Sequence, residues 1–512
     1  TFFSFKTMQK FVRYYARPRF LRHSGPKGRG PSLNKSSTNS NSSTSSSSNA
    51  DAYPPYKFGP YPSLNLPDEK SRNGVNNLID KITDFNELKI VPQLREALIN
   101  EIKYNTVLRS QNYVSPTKKI KSTNELNGLI IRPTPVQTAA IKIINGNKSE
   151  FFNVYTIAAE TGSGKTWAYL APLLQSLLTA EPSNSGSNAG IKSVILLPTH
   201  ELVDQVFNTV SNVAPSLNLN IIKWDTDSNY KNFIELFKKG IDIMVTTPGK
   251  LSSLSKYPSI SSPRMIFSKI SFTVVDEADT LMDPSFIDET YHILKNMNNL
   301  SNLIFTSATV PSKFNKTISH IYPKITSIST PNLHKLPKSI EFRLINASVA
   351  PYKGSKIKAL AQALYAIHCD GTEQGFIKRV VVFVNKKEDV NGVVEKLKTF
   401  GHNVKGITSD DDVQIRKDIV NEFSSAPEPS TNDNNRLKVL VTTDLLSRGL
   451  NFNGIRNIIL LDVPSNSSDL VHRAGRTGRM NQSGRVFMII NDSDKGHVKG
   501  LPKVLRNNRR LG

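Results

Sequence analysis

The chain has 512 residues, 38% of them hydrophobic, which is enough to form the cores of two or three domains. Its 66 basic and 42 acidic residues give a formal charge of +24, an excess that indicates a polyanionic partner or an anionic membrane surface. The single cysteine, Cys369, excludes intramolecular disulfides and metal sites built from several cysteines, and no apolar run approaches the roughly 20 residues that a membrane-spanning helix needs.

The first 50 residues contain nine basic residues and no acidic one, interleaved with aromatic and aliphatic side chains. From Ser36 to Ser48 the segment becomes Ser-rich. An Arg-rich, acid-free segment of this kind is typical of a mitochondrial transit peptide, so we expect a disordered leader over residues 1–50. A disordered basic tail that binds nucleic acid is the alternative. Residues 51–84 are interpreted as an N-terminal extension.

Short runs of β-branched and other apolar residues then alternate with helix-patterned stretches, in two series separated by a break between Pro331 and Pro337. Runs that are apolar on both faces belong to parallel sheets covered by helices. We therefore predict two tandem α/β domains with parallel sheets, over residues 85–330 and 340–500. Residues 331–339 form the predicted linker and residues 501–512 a basic C-terminal tail. The runs are Val194–Leu197, Ile243–Val245, Phe272–Val275 and Leu303–Phe305, then Val380–Val384, Val439–Val441, Ile458–Leu461 and Val486–Ile490.

The Gly-rich stretch Ala159–Thr166 follows the apolar run Phe151–Ile157 and precedes the helical pattern Trp167–Leu178. A glycine-rich turn between a strand and a helix allows backbone N–H groups to surround phosphate oxygens. We therefore expect ATP and Mg²⁺ as cofactors, with Lys165 reaching the β and γ phosphates and Thr166 holding the metal. An ordinary Gly-rich loop is the alternative. The predicted nucleotide-binding residues of the loop are Ala159, Glu160, Thr161, Gly162, Ser163, Gly164, Lys165 and Thr166.

Carboxylates end the buried run Phe272–Val275, in the tetrad Asp276-Glu-Ala-Asp279. Ligands of open α/β sheets bind beyond the carboxyl ends of the strands, so these side chains are expected to face the phosphates. Asp276 can bind Mg²⁺, and Glu277 can polarise an attacking water. By itself the tetrad could instead cap a helix.

With these motifs in order, the sequence resembles the DEAD-box RNA helicases from about Phe85 to Ile490, which implies two RecA-like domains. Arg132–Gln137 is similar to the adenine-recognition motif, with Gln137 contacting the base. Ser307–Thr309 matches the triplet in which Ser307 and Thr309 couple the nucleotide site to RNA. Two segments, Pro198–Leu202 and Thr247–Lys250, resemble first-domain RNA-backbone motifs. The first-domain residues to which the resemblance assigns RNA contacts are Pro198, Thr199, Thr247, Pro248 and Gly249.

The second domain continues the resemblance. Val381–Asn385 is similar to the fourth family motif, and Thr442–Leu450 to the fifth, in which Thr442 implies an RNA contact and Asp444 a nucleotide contact. His472–Arg479 matches the sixth motif closely. This match implies that Arg476 and Arg479 reach the γ-phosphate from the opposite domain as arginine fingers, so hydrolysis is expected to require domain closure.

Four departures from the family pattern stand out. Phe85, the candidate for stacking on adenine, lies far before Gln137. His200 replaces an arginine in an RNA motif, and Asn451 replaces an aspartate near the nucleotide. No Gly-Gly pair is recognisable between Asn218 and Gly240, where the family has one.

The resemblance implies an RNA-stimulated ATPase that separates strands locally without walking or remodels RNA–protein complexes. Alternatives are an ATP-dependent RNA clamp and a non-enzymatic RNA-binding scaffold. A narrower resemblance, to fungal mitochondrial members, implies a place in the mitochondrial matrix. It also implies mitochondrial rRNA and assembly intermediates of the large ribosomal subunit as partners. Roles in intron splicing or RNA turnover remain open.

Overall fold

The computed structural model describes residues 64–65, 69–111, 130–147, 149, 151–181, 189–255, 263–373, 375–425, 428–430, 437–444, 455–478 and 483–511. The predicted leader, the first part of the extension, Asn451 and Arg479 lie outside these residues.

The first domain contains a seven-stranded sheet in the order β3-β4-β2-β5-β6-β1-β7. All of its described strand pairs are parallel. Central strands are apolar on both faces, as in Ile241–Thr246, where every residue is buried. The strands are β1 Asn153–Ala158, β2 Ile191–Leu196, β3 Ile221–Trp224, β4 Ile241–Thr246, β5 Phe272–Val275, β6 Asn302–Ser307 and β7 Thr326–Ser329.

Helices cover both faces of this sheet, because successive side chains of a strand point to opposite sides. Ile195 belongs to one apolar cluster, and its neighbours Val194 and Leu196 belong to the other. The helices are α1 Glu69–Lys81, α2 Pro92–Gln111, α3 Pro135–Gly146, α4 Lys165–Thr179, α5 His200–Val213, α6 Tyr230–Lys239, α7 Pro248–Ser255, α8 Pro263–Phe267, α9 Ala278–Leu281, α10 Ile287–Lys295 and α11 Ser312–Ile321. Short 3₁₀ turns occupy Phe85–Glu87 and Pro215–Leu217.

The second domain has a six-stranded sheet in the order β10-β11-β9-β12-β13-β8, again with parallel pairs. Its strands are β8 Ile340–Asn346, β9 Arg379–Phe383, β10 Asn403–Gly406, β11 Lys438–Thr442, β12 Asn457–Leu460 and β13 Gly484–Ile490. Its helices are α12 Lys356–Cys369, α13 Glu388–Thr399, α14 Val413–Ser424, α15 Ser467–Ala474, α16 Lys495–Val498 and α17 Leu501–Arg506, with a 3₁₀ turn over Asp492–Asp494.

Both chain extensions contribute to the packed fold. Helix α1 of the N-terminal extension contacts α3 and β7 of the first domain. At the other end α17 contacts β8, and Leu501, Val504 and Leu511 are buried in a second-domain cluster. The basic side chains of the predicted tail therefore lie on a segment held by an apolar core.

The fold class predicted from the apolar runs is confirmed, since the runs coincide with strands of two parallel sheets. The chain from Thr330 to Ser339 connects the last strand of the first sheet to the first strand of the second. Among the described residues, no helix combines the length and apolar character needed to cross a membrane.

Candidate nucleotide site and domain boundary

The Gly-rich segment forms the loop between β1 and α4. Gly162 and Gly164 adopt φ values of 77° and 91°, which side chains rarely tolerate, so glycine is required at both turns. Lys165, the first residue of α4, donates through Nζ to the carbonyl oxygens of Ala159 at 2.9 Å and Glu160 at 3.1 Å. The loop and its lysine thus form a compact unit at the N-terminus of a helix, where anions are favoured.

Gln137 joins this loop to the start of α3. Its Oε1 accepts from the amide of Thr134 at 3.0 Å, and its Nε2 donates to the carbonyl of Gly164 at 3.2 Å. A Cβ atom at Gly164 would lie 2.6 Å from the same Nε2. The residue predicted to contact adenine therefore also fixes the phosphate loop.

Asp276 lies at the carboxyl end of β5, close to this loop. Its Oδ2 accepts a 3.0 Å hydrogen bond from the hydroxyl of Tyr169, which also bonds to the side chain of Thr166. Burial, and then the neighbouring Glu277 carboxylate, raise the pKa of Asp276 above its usual range. Burial, followed by the charge of Asp276, raises the pKa of Tyr169 well above its usual value. Sequence reasoning missed Tyr169, whose only signal was its place one helical turn after Lys165.

Glu277 follows in a left-handed conformation, with φ 47°, that non-glycine residues adopt only when their surroundings enforce it. Its amide donates to Oδ1 of Asp276 at 2.8 Å. Its buried Oε2 has no hydrogen-bond partner among the described residues. Asp276 and Thr166 share the Tyr169 hydroxyl as a hydrogen-bond partner, and with the buried Glu277 carboxylate they supply oxygen donors of the kind that fit Mg²⁺.

A buried hydrogen-bond cluster crosses the domain boundary. Asp279 Oδ2 lies 2.6 Å from Thr309 Oγ1 in its own domain and 2.9 Å from His472 Nε2 in the other. Thr309 Oγ1 is also 2.6 Å from Ser468 Oγ, on α15 of the second domain. Ser307 Oγ stabilises the turn from Ser307 to Thr309 by accepting a hydrogen bond from the Thr309 amide at 3.0 Å. The structure thus joins the predicted coupling residues to two second-domain residues for which the sequence suggested no role.

The sixth-motif segment also touches the phosphate loop. A Cβ atom at Gly475 would lie 2.1 Å from Oγ1 of Thr161, so only glycine permits this approach. The next residue, Arg476, is buried, and its Nε donates to the carbonyl of His472 at 3.0 Å. The structure therefore places one of the two predicted arginine fingers next to a residue that contacts the loop.

Arg473, which the sequence did not single out, anchors this segment in the second domain. It is fully buried and donates to both carboxylate oxygens of Asp444 at 2.5 Å and to Asn385 Oδ1 at 2.7 Å. Its guanidinium also lies over the ring of Phe383, 5.7 Å from the centroid. Asp444, predicted to contact the nucleotide, is thus paired within the protein.

The predicted RNA contacts of the first domain lie at two helix N-termini. Thr199 caps α5 by accepting from the Leu202 amide, and the hydroxyl of Thr247 accepts from the Lys250 amide at the start of α7. These helices follow β2 and β4, which are neighbours in the sheet, so their N-termini lie at one edge. Pro198 precedes this first cap. In the second domain, Thr442 is buried at the end of β11.

Two of the departures from the family pattern, at Phe85 and His200, lie within the described part of the first domain. Phe85 is fully buried in the first-domain core, so its ring presents no exposed face to a nucleotide base. Burial lowers the pKa of His200 below its usual value. The adjacent Glu201 accepts a hydrogen bond at 3.1 Å from Arg416 Nε of the second domain.

Comparison with protein families identifies the chain. Residues 134–317 match the family model described as DEAD/DEAH box helicase, and residues 355–481 match that of the helicase conserved C-terminal domain. The chain belongs to the DEAD/DEAH box helicases. It is therefore an ATP-hydrolysing enzyme of the RNA helicase class, as the sequence resemblance implied.

Relatives of this helicase extend over nearly its whole length. It is 41% identical to "ATP-dependent RNA helicase MRH4, mitochondrial" of Saccharomyces cerevisiae, in an alignment covering 99% of this chain and 98% of the relative. It is 44% identical to the protein of the same name from Candida glabrata, over 89% of this chain and 85% of the relative.

Solved structures show the same fold. S. cerevisiae Dbp5 bound to RNA and ADP BeF3 gives a TM-score of 0.61 at 21% identity, over 83% of this chain and 93% of that one. Mss116p bound to ssRNA and AMP-PNP gives 0.59 at 22% identity, over 83% of this chain and 80% of the other.

Proposed function

We propose that this helicase uses ATP to separate RNA strands locally, or to remodel RNA–protein complexes, in the mitochondrial matrix. The observation that carries the proposal is the buried cluster of Asp279, Thr309, Ser468 and His472, which connects the tetrad of the nucleotide site to the second domain. ATP hydrolysis at a site linked in this way can depend on any ligand that brings the two domains together.

The contacts of the loop support the proposed chemical roles. Lys165 and the loop amides bind the phosphates, and Gln137 binds adenine. Asp276 and Thr166 would hold Mg²⁺, which offsets phosphate charge. Glu277 is the proposed base, because its unpartnered buried Oε2 is available to accept a hydrogen bond from the attacking water.

Completion of the site depends on the second domain. Arg476 and Arg479 are proposed to stabilise charge on the γ-phosphate, a contribution worth about 10³ to 10⁵ in rate in related phosphoryl transfer. Support comes from the close approach to Thr161 of Gly475, the residue that precedes Arg476. Hydrolysis then requires closure, and an open chain should turn over slowly.

RNA is proposed to bind along its sugar–phosphate backbone. The α5 and α7 N-termini, capped at Thr199 and Thr247, present amides that favour phosphate oxygens, and Pro198, Pro248, Gly249 and Thr442 complete the contacts. Contacts of this kind carry no base code, so affinity should fall steeply with salt and depend little on sequence.

ATP and RNA would then act through one closed state. Each ligand contacts both domains, so binding of one lowers the cost of ordering the domains for the other. Ser307 and Thr309 are proposed to couple domain closure to the nucleotide site, because Thr309 bonds to groups of both domains at once.

For the physiological RNA, we propose mitochondrial rRNA within assembly intermediates of the large ribosomal subunit. Support comes from relatives that are named mitochondrial and from the transit-like composition of residues 1–50. Crosslinking in mitochondria followed by RNA sequencing tests this substrate. Enrichment of intron-containing transcripts instead of rRNA would favour splicing, and enrichment of decaying mRNA would favour turnover.

The first experiment is ATP hydrolysis by the full chain with and without single-stranded RNA, beside Lys165→Ala. Strong stimulation that the variant loses supports the RNA-dependent ATPase. Absence of turnover in both conditions contradicts an autonomous helicase.

Glu277→Gln separates the remaining alternatives. An enzyme should lose turnover yet hold RNA tightly with ATP, whereas RNA binding by a scaffold should not change. A clamp is distinguished by ATP-dependent RNA retention without strand separation in the unsubstituted protein.

A further inference from the structure

The segment where the sequence lacks the family Gly-Gly pair contains a carboxylate-bearing turn directly after β3. Asp225 Oδ1 accepts from the Asp227 amide at 3.1 Å, and the Asp225 amide donates to Ser228 Oγ at 2.8 Å. The Asp225 side chain is completely buried, and that of Asp227 is mostly exposed. The turn therefore holds two carboxylates in fixed positions at an edge of the first domain.

A lysine from the second domain meets this turn. Lys417, on α14, has its Nζ 2.5 Å from Asp227 Oδ2 and 3.7 Å from Oδ2 of Asp204, which lies on α5. Asp225 Oδ2 is 4.0 Å away. These three aspartates and Lys417 are named the carboxylate latch.

The first domain neutralises only part of the latch by itself. Lys223 Nζ lies 2.6 Å from Asp204 and 2.9 Å from Asp225, but it makes no described ion pair with Asp227. Among the described ion pairs, the first-domain Lys223 thus serves two of the three carboxylates, and Lys417 of the other domain reaches all three. Without Lys417 the three aspartates would keep an excess negative charge, which would repel an approaching phosphate backbone.

Charge states support the same arrangement. Burial disfavours the charged form of Lys417, but the hydrogen bond that the lysine donates to Asp227 and the three nearby carboxylates outweigh it and raise the pKa of the lysine. The hydrogen bond that Asp227 accepts from Lys417 lowers the pKa of Asp227. Both groups are ionised at neutral pH.

The latch lies next to a second contact between the same two helices. The preceding residue, Arg416, donates to Glu201 on α5. Arg416 and Glu201 are both only slightly exposed, so this pair is shielded from solvent, whereas the Lys417–Asp227 pair is open to solvent on the Asp227 side. Shielded pairs in a network are screened less by salt than isolated surface pairs.

We infer that Lys417 is a positioning residue for domain closure. It binds the second domain to the three aspartates of the carboxylate latch through a contact that requires no RNA. The inference rests on the proposed function in that closure completes the ATP site. The latch favours the closed state before RNA arrives and cancels negative charge beside the RNA path. Loss of the latch should raise the RNA concentration needed for activity without changing turnover at saturation.

Charge exchange tests the latch. Lys417→Asp and Asp227→Lys should each raise the RNA concentration for half-maximal ATPase by at least about fivefold and lower RNA-free turnover, because like charges then face each other. The double variant should return both values to within about twofold of the unsubstituted chain, since the pair is restored with reversed sign. Lys396→Asp, at an exposed lysine on α13, is the control for a change of net charge.

Closure can be measured without turnover. Cys369, the only cysteine, is exposed in the second domain, and Lys239→Cys adds a label in the first. Energy transfer with AMP-PNP and no RNA should fall in each single charge variant and recover in the double variant. Equal transfer in all variants, or a double variant as defective as the singles, overturns the latch. A chain that closes normally but never hydrolyses ATP would contradict the proposed function and leave the latch standing.

Discussion

Asp279 Oδ2 and His472 Nε2 lie 2.9 Å apart, although 193 positions separate the two residues and they belong to different domains. Both side chains are buried, and the same carboxylate oxygen is bonded to Thr309. Asp279, in the tetrad of the nucleotide site, therefore accepts a hydrogen bond from His472 of the second domain in addition to its bond with Thr309 of the first.

Removal of this donor should uncouple the domains. His472→Ala leaves the Asp279 carboxylate buried with one fewer partner, a loss of about 1.5–3 kcal/mol and hence about 10- to 100-fold in RNA-stimulated turnover. His472→Gln retains a donor and should recover much of the activity. Steady-state ATPase at saturating RNA measures both, and equal activity of the two variants would contradict a hydrogen-bonding role.

Gly475 should tolerate no side chain in the closed state. The Cβ atom of Gly475→Ala would meet Thr161 Oγ1 at 2.1 Å and the Val471 carbonyl at 2.8 Å, so we expect loss of at least about tenfold in RNA-stimulated ATPase. Gly392→Ala is the matched control, because a Cβ there has no neighbour within 4 Å and lies in helix α13. If both variants keep full activity, the contact does not form during turnover.

Tyr169 should contribute to nucleotide binding through Asp276. Tyr169→Phe removes the 3.0 Å hydrogen bond to the buried carboxylate, together with the bond between the same hydroxyl and the side chain of Thr166. A bond to a charged group contributes about 1.5–3 kcal/mol, so the Kd for ATP with Mg²⁺ should rise about 10- to 100-fold. Titration with a fluorescent ATP analogue checks this. An unchanged Kd would show that the bond serves stability alone, which thermal unfolding of the variant would reveal.

His334 should make the folded chain less stable at acidic pH. Its Nε2 accepts from the Val310 amide at 3.0 Å, directly after the coupling triplet, and its carbonyl accepts from the Leu511 amide at 3.0 Å. Burial, and then the charge of Arg510, lower the pKa of His334 to about 3. The unfolded chain binds a proton below about pH 6.5 and the folded chain does not, so stability falls as pH falls through this window.

His334→Gln keeps an acceptor for the Val310 amide but does not titrate. Between pH 6.5 and 5 the unsubstituted chain should lose about 1.6 kcal/mol more unfolding free energy than the variant. Urea unfolding followed by fluorescence at both pH values measures the difference. Parallel losses in the two proteins would show that His334 is protonated when folded.

Much of this architecture could be predicted from local patterns. Strands buried on both faces must be apolar at successive positions, which made the two parallel sheets recognisable from runs such as Val194–Leu197. The phosphate loop was recognisable because positive φ values restrict Gly162 and Gly164 to glycine. The tetrad starting at Asp276 was recognisable because it follows an apolar strand directly.

Tertiary structure decided the contacts between distant parts of the chain. The bonds between Asp279 and His472 and between Asp227 and Lys417 depend on how two domains meet, and no local spacing encodes that geometry. The burial of Leu511 likewise depends on an apolar cluster formed by strands far away in sequence. Local sequence determined the two sheets and the phosphate loop, because backbone conformation and strand burial are set by neighbouring residues. The closed site required the folded chain, because hydrogen bonds and ion pairs between domains form only where packing brings their partners together.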